Sequence, residues 1–232
     1  MLARLLPAPC VLCGLAGDGG QFCAGCRADL PWITGACHRC GRPLPRGASP
    51  GLCGGCDLAL AGLDRVRAAL VYEYPVDSLV AAAKFHGRPE CARALGEALA
   101  RWLNTAPPRP PPDLVVPVPL HPLRVARRGY NQAAVIATAV AHAARLNPAA
   151  CRRRRNTPAQ SGLPGPVRRV NLRDAFVARC DLSGLAVAIV DDVVTTGHTI
   201  SALALTLRRA GAVSVEGWCV ARVVMGQTAR NV

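Results

Sequence analysis

The chain of 232 residues sets 28 Lys and Arg against 14 Asp and Glu, a formal net charge of +14, and is 51% hydrophobic. That length allows a core able to fold on its own, with room for one α/β domain and a small module. No uninterrupted apolar run of about 18 residues occurs, which excludes a membrane-spanning helix of the ordinary kind.

The first ten residues, MLARLLPAPC, are too short and too Pro-broken an apolar stretch for a signal peptide, so the expected location is the cytoplasm. The chain is crowded with Ala, Gly, Pro and Arg, and Lys84 is its single lysine. Individual arginines therefore carry little information, and Lys84 carries more.

Residues 1 to 62 hold Cys10/Cys13, Cys23/Cys26, Cys37/Cys40 and Cys53/Cys56, eight of the twelve cysteines, in four C-x-x-C pairs between Gly- and Pro-rich loops. A tight turn of this spacing presents two sulfurs to one ion, and two such turns complete a tetrahedron, so four pairs predict two structural zinc sites. The expected partition is sequential, the first two pairs on one ion and the last two on the other, with an interleaved cross-brace as the alternative. Disulfides or a redox pair fit less well without a secretory signal. Cys91, Cys151, Cys180 and Cys219 show no partner spacing and read as small buried apolar residues. The module carries five Arg against three Asp, and each four-thiolate zinc site adds about −2, so it is slightly acidic once loaded. The basic surface thus belongs to residues 63 to 232, where eleven arginines and no acid lie between Arg124 and Arg173.

From Asp64 the pattern changes. RVRAALVYEY alternates like a strand, and residues 77 to 103 read as helix with a break near Gly87 and Pro89. A stiff linker, APPRPPP, follows at 106 to 112. DLVVPVPLHP is an apolar strand whose prolines put its end in a loop, and an Ala/Val-rich helix is expected from about Asn131 to Leu146. A strand is expected through 149 to 155, then a Pro, Gly and Arg loop over 156 to 170. The clearest unit closes the chain: strand LAVAIVDD, turn VVTTGHT, helix ISALALTLRRAG and strand VSVEGWCV. Ile200, Leu203, Ala204 and Leu207 share one helix face, and Gly211 stands where a C-terminal cap belongs. Strands alternating with helices predict a parallel sheet covered on both faces.

Asp191 and Asp192 end an apolar strand, which places them at the carboxyl edge of the sheet, where open α/β folds bind ligands. Paired carboxylates there accept hydrogen bonds from vicinal hydroxyls or help hold magnesium. The following TTGHT supplies backbone N–H groups at Gly197, hydroxyls and a helix start, a cradle for phosphate. A diol beside a phosphate describes a ribose 5-phosphate. A Walker B strand is excluded because no G-x-x-x-x-G-K-[ST] occurs.

VDDVVTTGHT resembles the phosphoribosyl pyrophosphate (PRPP) motif of the type I phosphoribosyltransferases. With the four C-x-x-C pairs, KFHG (84 to 87), PVPLHPLRVARRGYNQA (117 to 133), TPAQSGL (157 to 163) and RRVNLRDAF (168 to 176), it is similar in order and content to the ComF family of competence-associated, phosphoribosyltransferase-like proteins. One departure is RRVN, where a third Arg is expected at position 170. The resemblance implies a type I phosphoribosyltransferase-like α/β domain over 63 to 232 behind a double zinc-ribbon module at 1 to 62. It implies that Asp191 and Asp192 bind the ribose hydroxyls, directly or through magnesium, and that Thr195, Thr196, Gly197, His198 and Thr199 hold the 5-phosphate, His198 chiefly by its backbone. VPLHPLR takes the position of the pyrophosphate loop, with Leu120 and His121 backbone groups and Arg124. Arg128 to Gln132 form a turn in which Asn131 either caps a helix or touches ligand. Thr157 to Asn171 looks like the loop that closes over the site, bringing Arg168 or Arg169 to the leaving pyrophosphate. At most two of Arg152 to Arg155 face one site, since strand residues alternate. Lys84 stands as a compact ammonium at the site, with chance survival of one lysine as the alternative.

Two functions follow. One is phosphoribosyl transfer from PRPP with magnesium to an acceptor that the sequence does not name. The other is a non-catalytic role in DNA uptake, binding single-stranded DNA or competence proteins such as an uptake helicase. Nine aromatic residues in the whole chain leave base stacking sparse.

Overall fold

The computed structural model describes residues 8–17, 20–45, 47, 51–53, 60–108, 110–141, 144–155 and 175–224. Five parallel strands form one sheet in the order β1-β7-β6-β2-β3: β1 (Arg65–Val71), β2 (Leu114–Pro117), β3 (Arg145–Leu146), β6 (Ala186–Val194) and β7 (Ser214–Arg222). A separate antiparallel pair joins β4 (Cys151–Arg153) to β5 (Phe176–Ala178). The helices are α1 (Ala24–Ala28), α2 (Val76–Phe85), α3 (Pro89–Thr105), α4 (Pro122–Arg128), α5 (Gln132–Val140) and α6 (His198–Arg209). This is the α/β class that the alternating pattern predicts.

Alternation along the strands sends side chains into two cores. One gathers Val115, Ala188, Val190 and Val220 with Leu79 of α2, Leu95 and Leu99 of α3, and Ile136 of α5. The other gathers Val116, Ile189 and Val215 with the Ile200, Leu203, Ala204 and Leu207 stripe of α6. Helices thus cover both faces. Gly211, at φ +101°, ends α6 as its position predicts, and a side chain there would meet Ser183 at 2.6 Å.

The cysteine module lies along β1, the edge strand. Ile33 N–H donates to Ala69 O (2.9 Å), Val71 N–H to Pro31 O (2.8 Å) and Val66 N–H to Arg39 O (2.8 Å). The module covers an edge that would otherwise present unpaired backbone groups. Cys10, Phe22 and Leu30 enter the first core, and Ile33, Cys37 and Cys40 the second.

Three stretches differ from the sequence expectation. The helix expected to reach Leu146 ends at Val140, because Arg145 N–H and Asn147 N–H bond to Asp113 O (3.1 Å) and Val115 O (3.0 Å) as a short parallel strand beside β2. Residues 122 to 128, expected as loop and turn, form α4, with Pro122 in its first turn and Gly129 at φ +85° as its cap. β6 runs on through Val193 and Val194, expected in the turn, because β7 pairs with both.

Candidate functional site

β2 and β6 are neighbours, yet the chain leaves them toward opposite faces, to α5 in one core and α6 in the other. Where adjacent parallel strands diverge in this way, a crevice opens at their carboxyl ends. Asp191 and Asp192 lie there near the end of β6, beside the loop leading from β2 to α4.

Lys84, in the last turn of α2, brings Nζ to 3.1 Å from Asp192 Oδ2, with side chains 10% and 6% exposed. Asp192 Oδ1 accepts its neighbour's N–H from Val193 at 2.8 Å. Oδ2 is buried and receives no hydrogen bond of suitable angle, so the lysine contact is ionic and that oxygen keeps accepting capacity. Asp191 Oδ1 accepts the N–H of Asp192 at 3.0 Å. Burial first, and then the adjacent Asp192 carboxylate, push the Asp191 pKa well above the usual carboxylate range, with Lys84 pulling the other way. A carboxyl pair with Asp192 buried, Asp191 partly exposed, one ammonium and an oxygen with accepting capacity fits a vicinal diol or a magnesium ion.

Past the acids, Gly197 at φ +88° turns the chain into α6, whose first turn has no side-chain cap. The positive end of the helix dipole at this start suits an anion. His198 Nδ1 and Thr196 Oγ1 lie 2.8 Å apart, so the ring is tied into the loop rather than only solvated.

On the β2 side, His121 precedes α4 and its Nδ1 accepts Leu123 N–H at 3.3 Å. Asn131 Oδ1 caps α5 through Ala133 N–H (3.1 Å), and its amide donates to Val118 O (3.0 Å), which ties the helix start to the loop after β2. Capping therefore accounts for Asn131. Arg128 donates to buried Gln132 and lies 5.8 Å over the Phe85 ring, next in sequence to Lys84. Burial lowers the pKa of Arg128 and the charge of Asp192 raises it; burial and Arg127 both lower that of Arg124.

The structure adds residues that the sequence does not single out. Arg153 is 6% exposed, sits 5.6 Å over Phe176, and is pushed down to about 10 by burial and then by Arg124, with Asp191 opposing. Arg152, Arg154 and Arg155 are exposed, so one arginine of the four turns inward. Strand alternation carried that signal without choosing the member. Arg222 is buried behind the turn that follows β6 and donates to the carbonyls of Val194 (2.5 Å) and Thr195. Arg168 and Arg169 lie outside the described residues.

In the module, the sulfurs of Cys10, Cys13, Cys23 and Cys26 lie within 4.8 Å of one another, as do those of Cys37, Cys40 and Cys53. Cys13 and Cys23 are 3.7 Å apart and Cys40 and Cys53 3.4 Å, close to the edge of about 3.8 Å that a tetrahedron with zinc–sulfur bonds of about 2.3 Å requires. The grouping is sequential; Cys56 lies outside the described residues. Although burial opposes it, backbone N–H groups of Cys13, Cys23 and Leu12 bring Cys10 down to about 6, and those of Cys53, Cys40 and Arg39 do the same for Cys37. The neighbouring sulfurs of Cys23 and Cys13 push Cys26 up to about 12, and burial does the same for Cys40, so full ionisation of either cluster calls for a divalent ion.

A double zinc ribbon domain matches residues 1–57. The DNA utilization protein YhgH of Salmonella typhi is 34% identical over 226 residues, 94% of this chain and 99% of that protein. Its namesake in Escherichia coli (strain K12) is 31% identical with the same coverage. Competence protein F of Haemophilus influenzae is 31% identical over 87% of this chain and 90% of its own length. A purine phosphoribosyltransferase from Pyrococcus horikoshii is similar over 55% of this chain and 70% of that one, with a TM-score of 0.34 and 21% identity. Among the described residues no helix is long and apolar enough to cross a membrane.

Proposed function

The chain belongs to the ComF family, that of competence protein F and the DNA utilization proteins YhgH, and from that premise we propose that it binds PRPP with magnesium and transfers the phosphoribosyl group. We infer the cytoplasm as its location; the relatives' names, DNA utilization protein and competence protein, support a role in handling DNA taken up by the cell. One observation carries the reading: an Asp pair whose buried member Asp192 faces the single lysine, five residues before the Gly197 turn that opens α6, at the crevice where β2 and β6 diverge.

In this reading Asp191 and Asp192 accept the two ribose hydroxyls, and Lys84 holds the Asp192 carboxylate in place. The N–H groups and hydroxyls of 195 to 199 bind the 5-phosphate. His121 and Arg124 lie along the pyrophosphate side, with Arg153 and Arg128 adding positive charge. The bond from the anomeric carbon to pyrophosphate breaks, the acceptor forms the new bond, and arginines stabilise the charge that gathers on the leaving group. Magnesium, when bound beside the acids, supplies further neutralisation of that charge. Arg168 and Arg169, which the family resemblance assigns to the leaving pyrophosphate, complete this reading. The two cysteine clusters hold structural zinc.

Calorimetry of PRPP with magnesium tests this, using zinc-loaded protein beside an Asp191→Asn, Asp192→Asn double variant. The expected result is binding in the native protein and at least tenfold weaker binding in the variant, the loss of about 1.4 kcal/mol or more that two missing charge-assisted bonds imply. Equal affinity in both would overturn the reading.

A second reading, single-stranded DNA binding as an adaptor for competence proteins, is favoured by Arg127, Arg145, Arg152, Arg154 and Arg155, all exposed, on a chain of net charge +14. It predicts affinity for unstructured oligonucleotides that falls steeply with salt. The two readings are told apart by the Asp double variant, in which this DNA binding is expected to persist.

A further inference from the structure

Arg222 ends β7 and is 1% exposed, among the largest fully buried side chains of the protein. Its guanidinium has three backbone acceptors on two different units. Nε donates to Cys40 O at 2.9 Å; one terminal nitrogen donates to Val194 O at 2.5 Å and to Thr195 O. Cys40 belongs to the second cysteine cluster, while Val194 and Thr195 lead into the phosphate loop. Among the described residues no carboxylate forms an ion pair with Arg222.

A buried cation without a carboxylate needs a negative field from elsewhere. Thiolates holding a divalent ion carry a net negative charge, and the cluster containing Cys40 is the unit that this guanidinium touches. Gly41 fixes the approach: at φ +66°, a side chain there would stand 2.8 Å from Val66 O, so the cysteine turn rests directly on β1.

We propose that Arg222 is a positioning residue through which the metal-loaded second cluster sets the backbone of the 194–199 loop. The loaded cluster stabilises the buried charge, and the guanidinium holds the two carbonyls that orient the following N–H groups. This deepens the PRPP reading, on which its functional consequence rests, while the structural coupling stands apart from any ligand.

The test is amide hydrogen exchange across 195 to 200 in full-length protein, with zinc content measured in each sample. Cys53→Ser, retaining one zinc per chain, is expected to exchange about tenfold faster in this loop, a local opening of modest free energy. Arg222→Lys, retaining two zinc ions and an unchanged far-ultraviolet spectrum, is expected to show the same acceleration, because an ammonium cannot span the three acceptors. The double variant is expected to be no faster than either single one, the signature of a shared path. Loop exchange unchanged in Cys53→Ser, or additive in the double variant, overturns the coupling. Ribose 5-phosphate affinity in the same proteins separates the two ideas: coupled exchange without ligand binding to the native protein sinks the PRPP reading and leaves the Arg222 assignment standing.

Discussion

Lys84 shows how one residue acquires meaning from its surroundings. Its charge faces Asp192 inside the protein, and removing one partner of such a pair leaves the other charge buried and uncompensated. Lys84→Met is therefore expected to cost on the order of 3 kcal/mol in urea unfolding at neutral pH, and Asp192→Asn in the same background to recover part of that loss. Asp191 yields a pH prediction. Its pKa is raised on folding, so between the unfolded and folded values the native state holds the extra proton and stability falls as pH rises. The associated stability is intact below about pH 4, the unfolded carboxyl value, and is lost toward the elevated folded pKa. Asp191→Asn should therefore stabilise the ligand-free protein at pH 7 but change it little near pH 4, in chemical denaturation at both pH values.

At the scale of elements, α3 and α5 approach closely at Gly96. A Cβ there would lie 3.0 Å from Ala139 Cβ and 3.1 Å from Ile136 Cα. Gly96→Val is expected to overpack this contact and cost about 1–3 kcal/mol, read from the denaturation midpoint at constant m-value. The sequence read this helix well because Pro89 and the apolar stripe are local signals. It overran α5 because Ala-rich segments favour helix whatever lies beside them. The cause of the early stop is Asp113, just before β2, and Val115 within it, distant in sequence, whose carbonyls recruit Arg145 and Asn147.

Across the whole molecule, the cysteine module shares both cores and the β1 edge with the sheet. Chelation of metal is therefore expected to lower the thermal midpoint of the entire chain in one transition, followed by calorimetry with excess chelator. Two separate transitions, with the 63 to 232 portion melting at its metal-loaded temperature, would show that module and sheet are independent.

The cysteine spacing, the acid pair and the Gly197 turn were legible in the linear chain because each is a local device: a ligand turn, a strand end, a helix start. So were the two-faced sheet and the α6 stripe, which follow from periodicity. Which of Arg152 to Arg155 turns inward, the pairing of Lys84 with Asp192 and the reach of Arg222 from the loop to Cys40 were decided only by tertiary structure. Lys84 and Asp192 stand 108 residues apart and Arg222 and Cys40 stand 182 apart, and no periodicity reports a contact across such separations. Strand order brings these groups together, and burial then makes each charge depend on the partner it meets.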